Sequence, residues 1–199
     1  MNTIVLIDGE NLTYGLRELI TYPTDKANRS LIEGYDYRGL LEEIMSDVHI
    51  DQISWFGARL RVYNETPELE TKCRLVISNQ AKLVNDLHYQ QIQFVKVGYL
   101  RCHPTNDDNT EFKLVEKGVD VGLAVELISR ANPDTEIVLV SSDTDLIPAI
   151  KKAKQLGAKI TFISYENRPI VSISRLSDRT RIITAPIAKR YLKNQLELS

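Results

Sequence analysis

The sequence has few cysteines, no long apolar run and little net charge. Cys73 and Cys102 are the only cysteines in 199 residues and lack CxxC spacing, so free thiols are expected instead of a disulfide framework. No apolar run approaches the ~20 residues that span a bilayer, and the first residues lack the basic region of a secretory signal. We therefore expect a cytosolic protein with no membrane partner.

The formal net charge of −2 excludes a general attraction to nucleic acid, so any phosphate binding has to be local. The chain also lacks a P-loop, a Gly-x-Gly-x-x-Gly motif and a Gly-x-Ser-x-Gly motif. Its three histidines have no partners at the spacing of a catalytic triad. Nucleotide-binding and serine-hydrolase functions of the common types are therefore not indicated.

Short apolar, β-branched runs alternate with helical patterns along the chain. The predicted strands are 3–7, 50–60, 92–100, 136–140 and 159–164, and the predicted helices are 37–46, 67–89, 119–131 and 147–155. This alternation predicts an α/β fold with a mostly parallel sheet flanked by helices, in which right-handed crossovers leave all strand C-termini at one edge. The length of the chain predicts one domain over 1–199, with 180–199 as the peripheral part of this domain. The polar stretches 21–35 and 103–111 are expected to form loops that border the edge.

Acidic residues follow two of the predicted strands. The first strand ends in Asp8-Gly9-Glu10-Asn11 and the fourth in Ser142-Asp143-Thr144-Asp145. If both strands are central and parallel, Asp8 and Asp143 emerge at the same edge. Helix capping is the alternative interpretation, because Asp and Asn are favoured N-caps. Each strand end carries more polar side chains than one cap requires.

A third carboxylate is placed by helical geometry in 119–131. Steps of about 100° put Leu123 and Leu127 on one face with Asp120 near its centre, whereas Glu126 falls on the polar side. Asp120 is therefore a candidate site residue, with an opening turn of the helix as the alternative, and Glu126 is expected to be solvated.

Four aspartates at one edge would require a counter-charge. Two like charges ~4 Å apart repel by about 4 kcal/mol at an effective dielectric near 20, against a typical fold stability of about 5–15 kcal/mol. Proton uptake or a divalent cation would offset this repulsion. Carboxylate oxygens suit Mg²⁺ or Mn²⁺, and such a site at a sheet edge is typical of enzymes that act on phosphate esters.

Three segments resemble the NYN domain, the LabA-like branch of the PIN-type nuclease fold. They are VLIDGENL at 5–12, EKGVDVGLAVEL at 116–127 and IVLVSSDTDLIPAIKKAKQLGAKI at 137–160. Their order and spacing carry the resemblance, which covers about a quarter of the chain. It implies a Rossmann-like, three-layer α/β/α fold and a Mg²⁺ or Mn²⁺ site that cuts nucleic acid, chiefly RNA.

The resemblance also implies roles for particular residues. The acidic metal-site and catalytic positions are matched by Asp8, Asp120, Asp143 and Asp145. Asn11 matches the polar residue one turn after the first aspartate, and Lys117 matches a basic residue that could meet a substrate phosphate. The chain departs from the pattern at Ser142, where glycine is common, and at Leu146, where phenylalanine is common. Ser142 would lie against the substrate, and neither change removes a carboxylate.

Basic and aromatic residues alternate in Trp55-Phe56-Gly57-Ala58-Arg59-Leu60-Arg61-Val62-Tyr63. This pattern could supply base stacking and phosphate contacts, with Arg59 and Arg61 as substrate-binding candidates. The alternative is a strand whose residues alternate between core and solvent. Arg17 on the first helix and Lys113 are further candidates. The lysines at 151, 152 and 154 are interpreted as a solvated helix face.

The leading hypothesis from the sequence is a metal-dependent endoribonuclease whose partner is single-stranded or structured RNA. A second hypothesis keeps the metal and assigns a small phosphate ester as substrate. Against it, Glu10 stands where aspartyl-phosphate phosphatases have a second aspartate. The third hypothesis is a regulatory protein that binds RNA or a partner without efficient catalysis. Whether the protein forms a homo-oligomer is left open by the sequence.

Overall fold

Seven apolar segments form the strands of one sheet. The structure, a computed structural model, describes residues 1–20, 34–106 and 111–192. Its strands are β1 (Asn2–Asp8), β2 (Gln52–Arg59), β3 (Gln93–Pro104), β4 (Phe112–Lys117), β5 (Thr135–Val140), β6 (Lys159–Tyr165) and β7 (Arg179–Ile183). The five predicted strands are therefore confirmed, and β4 and β7 are additional. The predicted loops lie partly outside the described residues, at 21–33 and 107–110.

The strand order in the sheet is β4-β3-β2-β1-β5-β6-β7. All neighbouring strands pair in parallel except β3 and β4, which form an antiparallel hairpin. After β1 the chain adds β2 and β3 on one side of β1, and it later adds β5 and β6 on the other side. The strand order therefore reverses between β1 and β5.

The helices are α1 (Gly9–Ile20), α2 (Tyr37–Ile44), α3 (Pro67–Tyr89), α4 (Val119–Arg130), α5 (Ile147–Gln155), α6 (Val171–Leu176) and α7 (Ala185–Arg190). Local signals explain where they begin. In α3, Pro67 occupies the first turn and the Thr66 side chain accepts a hydrogen bond from the Leu69 N–H at 3.1 Å. The predicted helices over 67–89 and 147–155 have the predicted bounds.

Helices cover both faces of the sheet, which explains the apolar, non-alternating strands. In β1, Val5 and Ile7 pack into one cluster with α1, α2 and α7, whereas Ile4 and Leu6 pack into a second cluster with α4, α5 and α6. The predicted three-layer α/β/α architecture with a mostly parallel sheet is confirmed.

The C-terminal segment takes part in this packing. Strand β7 pairs with β6, and Ile183 and Ala188 are buried in the first cluster. Residues 193–199 lie outside the described part of the chain. Within the described ranges, no helix is long and apolar enough to cross a membrane.

Candidate active site at the carboxyl edge of the sheet

The reversal between β1 and β5 brings the two acidic strand ends together. Ile7 pairs with Val140 in the parallel ladder, so Asp8 and the segment from Ser141 to Asp145 leave the sheet side by side. The predicted meeting of these segments at one edge is confirmed. In open α/β sheets, the crevice at such a reversal is the usual ligand site.

Asp8 is held in place by three hydrogen bonds. Its Oδ1 accepts from the Asn11 backbone N–H at 3.1 Å, and its Oδ2 accepts from Asn11 Nδ2 at 2.8 Å and Ser141 Oγ at 3.2 Å. The residue is only 7% exposed. An ionised carboxylate has about four lone-pair sites, so these bonds orient Asp8 and leave about one site for a ligand.

Asn11 links the two strand ends a second time. Its Oδ1 accepts from the Ser142 N–H at 3.3 Å, and its backbone carbonyl accepts from the Tyr165 hydroxyl at 3.4 Å. Burial and the nearby charge of Asp8 raise the pKa of Tyr165 above its ordinary value, so its hydroxyl stays a donor. Asn11, which the sequence assigned to the site, therefore positions Asp8, Ser142 and Tyr165 together.

Asp143 caps the short 3₁₀ helix Thr144–Leu146 that precedes α5. Its Oδ1 accepts from the Asp145 N–H at 2.9 Å, and its own N–H donates to Ser141 Oγ at 3.2 Å. The capping role left open by the sequence therefore applies to Asp143. Asp145 is exposed at the start of this turn.

Asp120 lies in the first turn of α4, which begins just after β4. The residue is half-buried, and Leu123 and Leu127 on the same helix are fully buried. Glu126 instead pairs with Arg130, with 2.7 Å between Glu126 Oε1 and Arg130 Nε. The Glu126 side chain is 32% exposed, so the residue is half-buried in this ion pair and not fully solvated as predicted.

The structure adds Glu116 to the site, although no strand end or helical stripe in the sequence indicated this residue. Burial, followed by the charges of Glu10 and Asp8, raises the pKa of Glu116 to about 7, and a hydrogen bond with the Ala58 backbone opposes the rise. Glu116 thus lies within electrostatic reach of the first strand end. Three apolar residues in 112–117, Phe112, Leu114 and Val115, were the signal that could have revealed this strand.

Gly98 allows the end of β4 to approach β3 closely. Its φ is +62°, and a Cβ there would overlap the Lys117 carbonyl oxygen and the Gly118 backbone. Only glycine accommodates both the positive φ and this contact without strain. The close approach positions Glu116 and Lys117 beside the end of the parallel sheet.

The predicted substrate-binding residues are spread over different environments. Lys117 and Arg59 are exposed near the edge, and Ser142 is half-buried beside Asn11. Arg61 stacks on Tyr63, with its guanidinium carbon 4.4 Å from the ring centroid. Arg17 lies about 12 Å along α1 from Gly9, by the usual helical rise. Its charge opposes the rise in the pKa of Tyr37 that burial causes.

The proposed stacking of bases on the aromatics of β2 is wrong for two of them. Trp55 and Phe56 are 2% and 1% exposed, because both faces of β2 are covered by helices. The alternative of a strand that alternates between core and solvent is also wrong here, since consecutive residues are buried. Tyr63 is buried as well, beneath Arg61.

The donor chemistry of this edge suits a hard divalent cation. The carboxylates of Asp8 and Glu116 offer only oxygen ligands. Burial, followed by the charges of Glu10 and Asp8, raises the pKa of Glu116, and a nearby cation would oppose this rise. Among the described residues, no three His, Cys, Asp or Glu side chains are grouped closely enough to enclose a metal. Mg²⁺ is commonly held by one or two carboxylates with waters and substrate phosphate, which needs no such enclosure.

Comparisons with known proteins agree with this fold. The crystal structure of the protein of unknown function VPA0982 from Vibrio parahaemolyticus superposes with a TM-score of 0.56 at 17% sequence identity, over 92% of each chain. At this identity the likeness shows the fold alone. No curated protein matches the sequence. The family model of the NYN domain matches residues 2–183. This chain therefore belongs to the NYN domain family, within the PIN-like nuclease superfamily.

Proposed function

We propose that this protein is a Mg²⁺- or Mn²⁺-dependent endoribonuclease. NYN domains are typically nucleases and generally use divalent metal ions, and the finer assignment to RNA is part of the proposal. The observation that carries the proposal is the buried Asp8 carboxylate, fixed by Asn11 and Ser141 at the strand reversal. A second carboxylate, Glu116, has its pKa raised by burial and then by the charges of Glu10 and Asp8. A buried, fixed carboxylate with a second carboxylate nearby is suited to a divalent cation, because the cation would offset their burial and repulsion.

Asp8 and Glu116 are the residues that we expect to bind the cation directly. Asp120, Asp143 and Asp145 would complete its surroundings through water, since Asp143 already caps a turn and Asp145 is exposed. When bound, the ion would neutralise phosphate charge and lower the pKa of a coordinated water.

The chain's own residues have separate tasks in this proposal. Asn11 and Ser141 hold the Asp8 oxygens in one orientation, so that little reorganisation is needed when substrate binds. The Asp143 cap and the Asn11 bond to the Ser142 N–H fix the adjoining loop. Lys117, exposed at the end of β4, would contact a substrate phosphate.

The test is cleavage of an end-labelled single-stranded RNA with Mn²⁺, with Mg²⁺ and with EDTA. We expect cleavage at internal positions with either metal, none with EDTA, and a loss of at least 100-fold in Asp8→Asn. Glu126→Gln is the matched control, because the Glu126 carboxylate pairs with Arg130 and takes no part in the proposed cation site. Cleavage that persists in EDTA or in Asp8→Asn would overturn the proposal.

A melting experiment addresses the cation independently of substrate. Mn²⁺ should raise the melting temperature of the wild type, because a ligand that binds only the folded state stabilises it. The rise should be lost in Asp8→Asn and kept in Glu126→Gln. Phosphate release from small esters without RNA cleavage would instead favour a phosphatase.

A further inference from the structure

One face of the β3–β4 hairpin carries a row of basic residues and one tyrosine. In the antiparallel register Tyr99 lies opposite Lys117, Arg101 opposite Val115, and His103 opposite Lys113. Directly opposite residues in a sheet share a face, so these side chains point the same way. Arg59 extends the row, since it pairs with Tyr99 across β2 and β3. We call the set Arg59, Tyr99, Arg101, Lys113 and Lys117 the hairpin face.

The opposite face of the hairpin is apolar and packed. Cys102, Leu114 and Phe112 contact the small cluster of Tyr63, Leu69 and Cys73 at the beginning of α3. This packing fixes the orientation of the hairpin. The hairpin face is therefore held outward, and all five of its residues are exposed.

The basic residues of the hairpin face are not neutralised by neighbours. Within 1–20, 34–106 and 111–192, no carboxylate forms an ion pair with Arg59, Arg101, Lys113 or Lys117. Arginines elsewhere, such as Arg74, Arg130 and Arg181, pair with acidic residues. In a chain with a net charge of −2, this is a local positive surface.

Tyr99 supplies an exposed aromatic ring within this positive surface. It is 56% exposed, and the Arg59 guanidinium carbon lies 5.9 Å from its ring centroid. An exposed ring beside arginine is a suitable platform for a nucleobase, because stacking tolerates any base and the cation contacts phosphate or the π-face.

The hairpin face leads directly into the acidic edge. Asp8 pairs with Phe56 of β2, and Arg59, three residues further along β2, pairs with Tyr99, which lies opposite Lys117. From Lys113 to Lys117 the strand advances about 13 Å, which accommodates about two to four nucleotides. An RNA strand bound along the hairpin would thus bring one of its phosphates to the carboxylates.

We propose that the hairpin face binds single-stranded RNA and delivers it to the edge that contains Asp8. The inference rests on the proposed nuclease function and names how its substrate is held. Arg101 and Lys113 contact phosphates, Tyr99 stacks a base, and Lys117 contacts the phosphate next to the carboxylates. This assignment replaces the aromatics of β2, which are buried.

The test is binding of a fluorescein-labelled 12-nucleotide oligouridylate in EDTA, followed by anisotropy over a series of salt concentrations. Arg101→Ala with Lys113→Ala should weaken binding at least tenfold and reduce the slope of log K against log salt by about 1.4, at about 0.7 for each lost phosphate contact. Tyr99→Ala should weaken binding about 5- to 100-fold, and Tyr99→Phe should restore it.

The charge-matched control is Lys151→Ala with Lys152→Ala, which removes two exposed lysines from α5. It should change binding less than twofold. All substituted side chains are exposed, so circular dichroism and the melting temperature should match those of the wild type. Unchanged affinity and slope in the hairpin variants, or equal loss in the control, would overturn the inference.

Competitors distinguish the kind of partner. An unlabelled RNA duplex or a poly-glutamate peptide of similar charge should compete at least tenfold more weakly than the oligouridylate. Equal competition by either would overturn the assignment to single-stranded RNA.

Weakened binding in the hairpin variants without Mn²⁺-dependent cleavage by wild type would reject the nuclease proposal alone. Cleavage by variants whose binding is unchanged would reject this inference alone.

Discussion

The Ser141 hydroxyl donates a hydrogen bond to Asp8 Oδ2 at 3.2 Å and accepts one from the Asp143 N–H at the same distance. One side chain therefore connects the end of β1 to the turn that follows β5. The connection exists because these strands are parallel neighbours, although their ends are separated by 133 positions in the chain. It couples the orientation of the buried carboxylate to that of the Asp143 turn.

Ser141→Ala should lower both stability and activity. It removes a donor from a buried carboxylate and an acceptor from a backbone N–H, at about 1.5–3 kcal/mol of unfolding free energy. Misorientation of Asp8 should reduce the cleavage rate at least tenfold. Urea unfolding in EDTA and initial rates measure the two effects. Ser142→Ala should cost under about 0.5 kcal/mol of stability, because its link to Asn11 is through the backbone. Equal stability losses would contradict the prediction.

Glu116→Gln should change how stability depends on pH. The folded pKa of about 7 lies above the ordinary value of 4.5, so the folded state keeps a proton that the unfolded state releases between these values. The stability that Glu116 contributes is present below pH 4.5 and is lost as pH rises through 7. In EDTA the variant should therefore gain stability relative to wild type between pH 5 and 8. Parallel melting-temperature curves across this range would show that the raised pKa is wrong.

Asp120→Asn and Glu126→Gln form a matched pair on α4. Asp120→Asn should reduce metal-dependent cleavage at least 100-fold and cost about 0.3–1 kcal/mol, the value of a charge in a first helical turn. Glu126→Gln should keep the rate within twofold and cost about 0.3–0.5 kcal/mol, because it removes a surface pair with Arg130. Comparable loss of activity in both would mean that the helix tolerates neither change, and would remove Asp120 from the site.

Gly98→Ala should disturb the site from a distance. At a φ of +62° an alanine costs about 1–2 kcal/mol, and its Cβ would also push the Lys117 carbonyl away. We expect lower stability together with weaker oligonucleotide binding and slower cleavage, because Glu116 and Lys117 shift. Gly98→Asn tolerates positive φ and should still lose both functions. Full recovery in Gly98→Asn would show that conformation matters and the close contact does not.

Local patterns were sufficient for most of the framework. Unbroken apolar runs predicted strands covered on both faces, and Thr66-Pro67 marks the beginning of α3. The order of elements placed Asp8 and Asp143 at one edge. Strands β4 and β7 were missed because their partly exposed, charged residues do not form a buried run.

The sequence by itself determined the α/β class, the parallel strands and the collection of acidic residues at their C-terminal edge, because periodicity and strand-end chemistry are local properties. Only the tertiary structure decided that Glu116 lies near Asp8, that Trp55 is unavailable for stacking, and that Tyr99 stands in an open basic face. These facts depend on the β3–β4 hairpin and on which helices cover which strands. The physical reason is that burial and electrostatic proximity are set by contacts between residues distant in the chain.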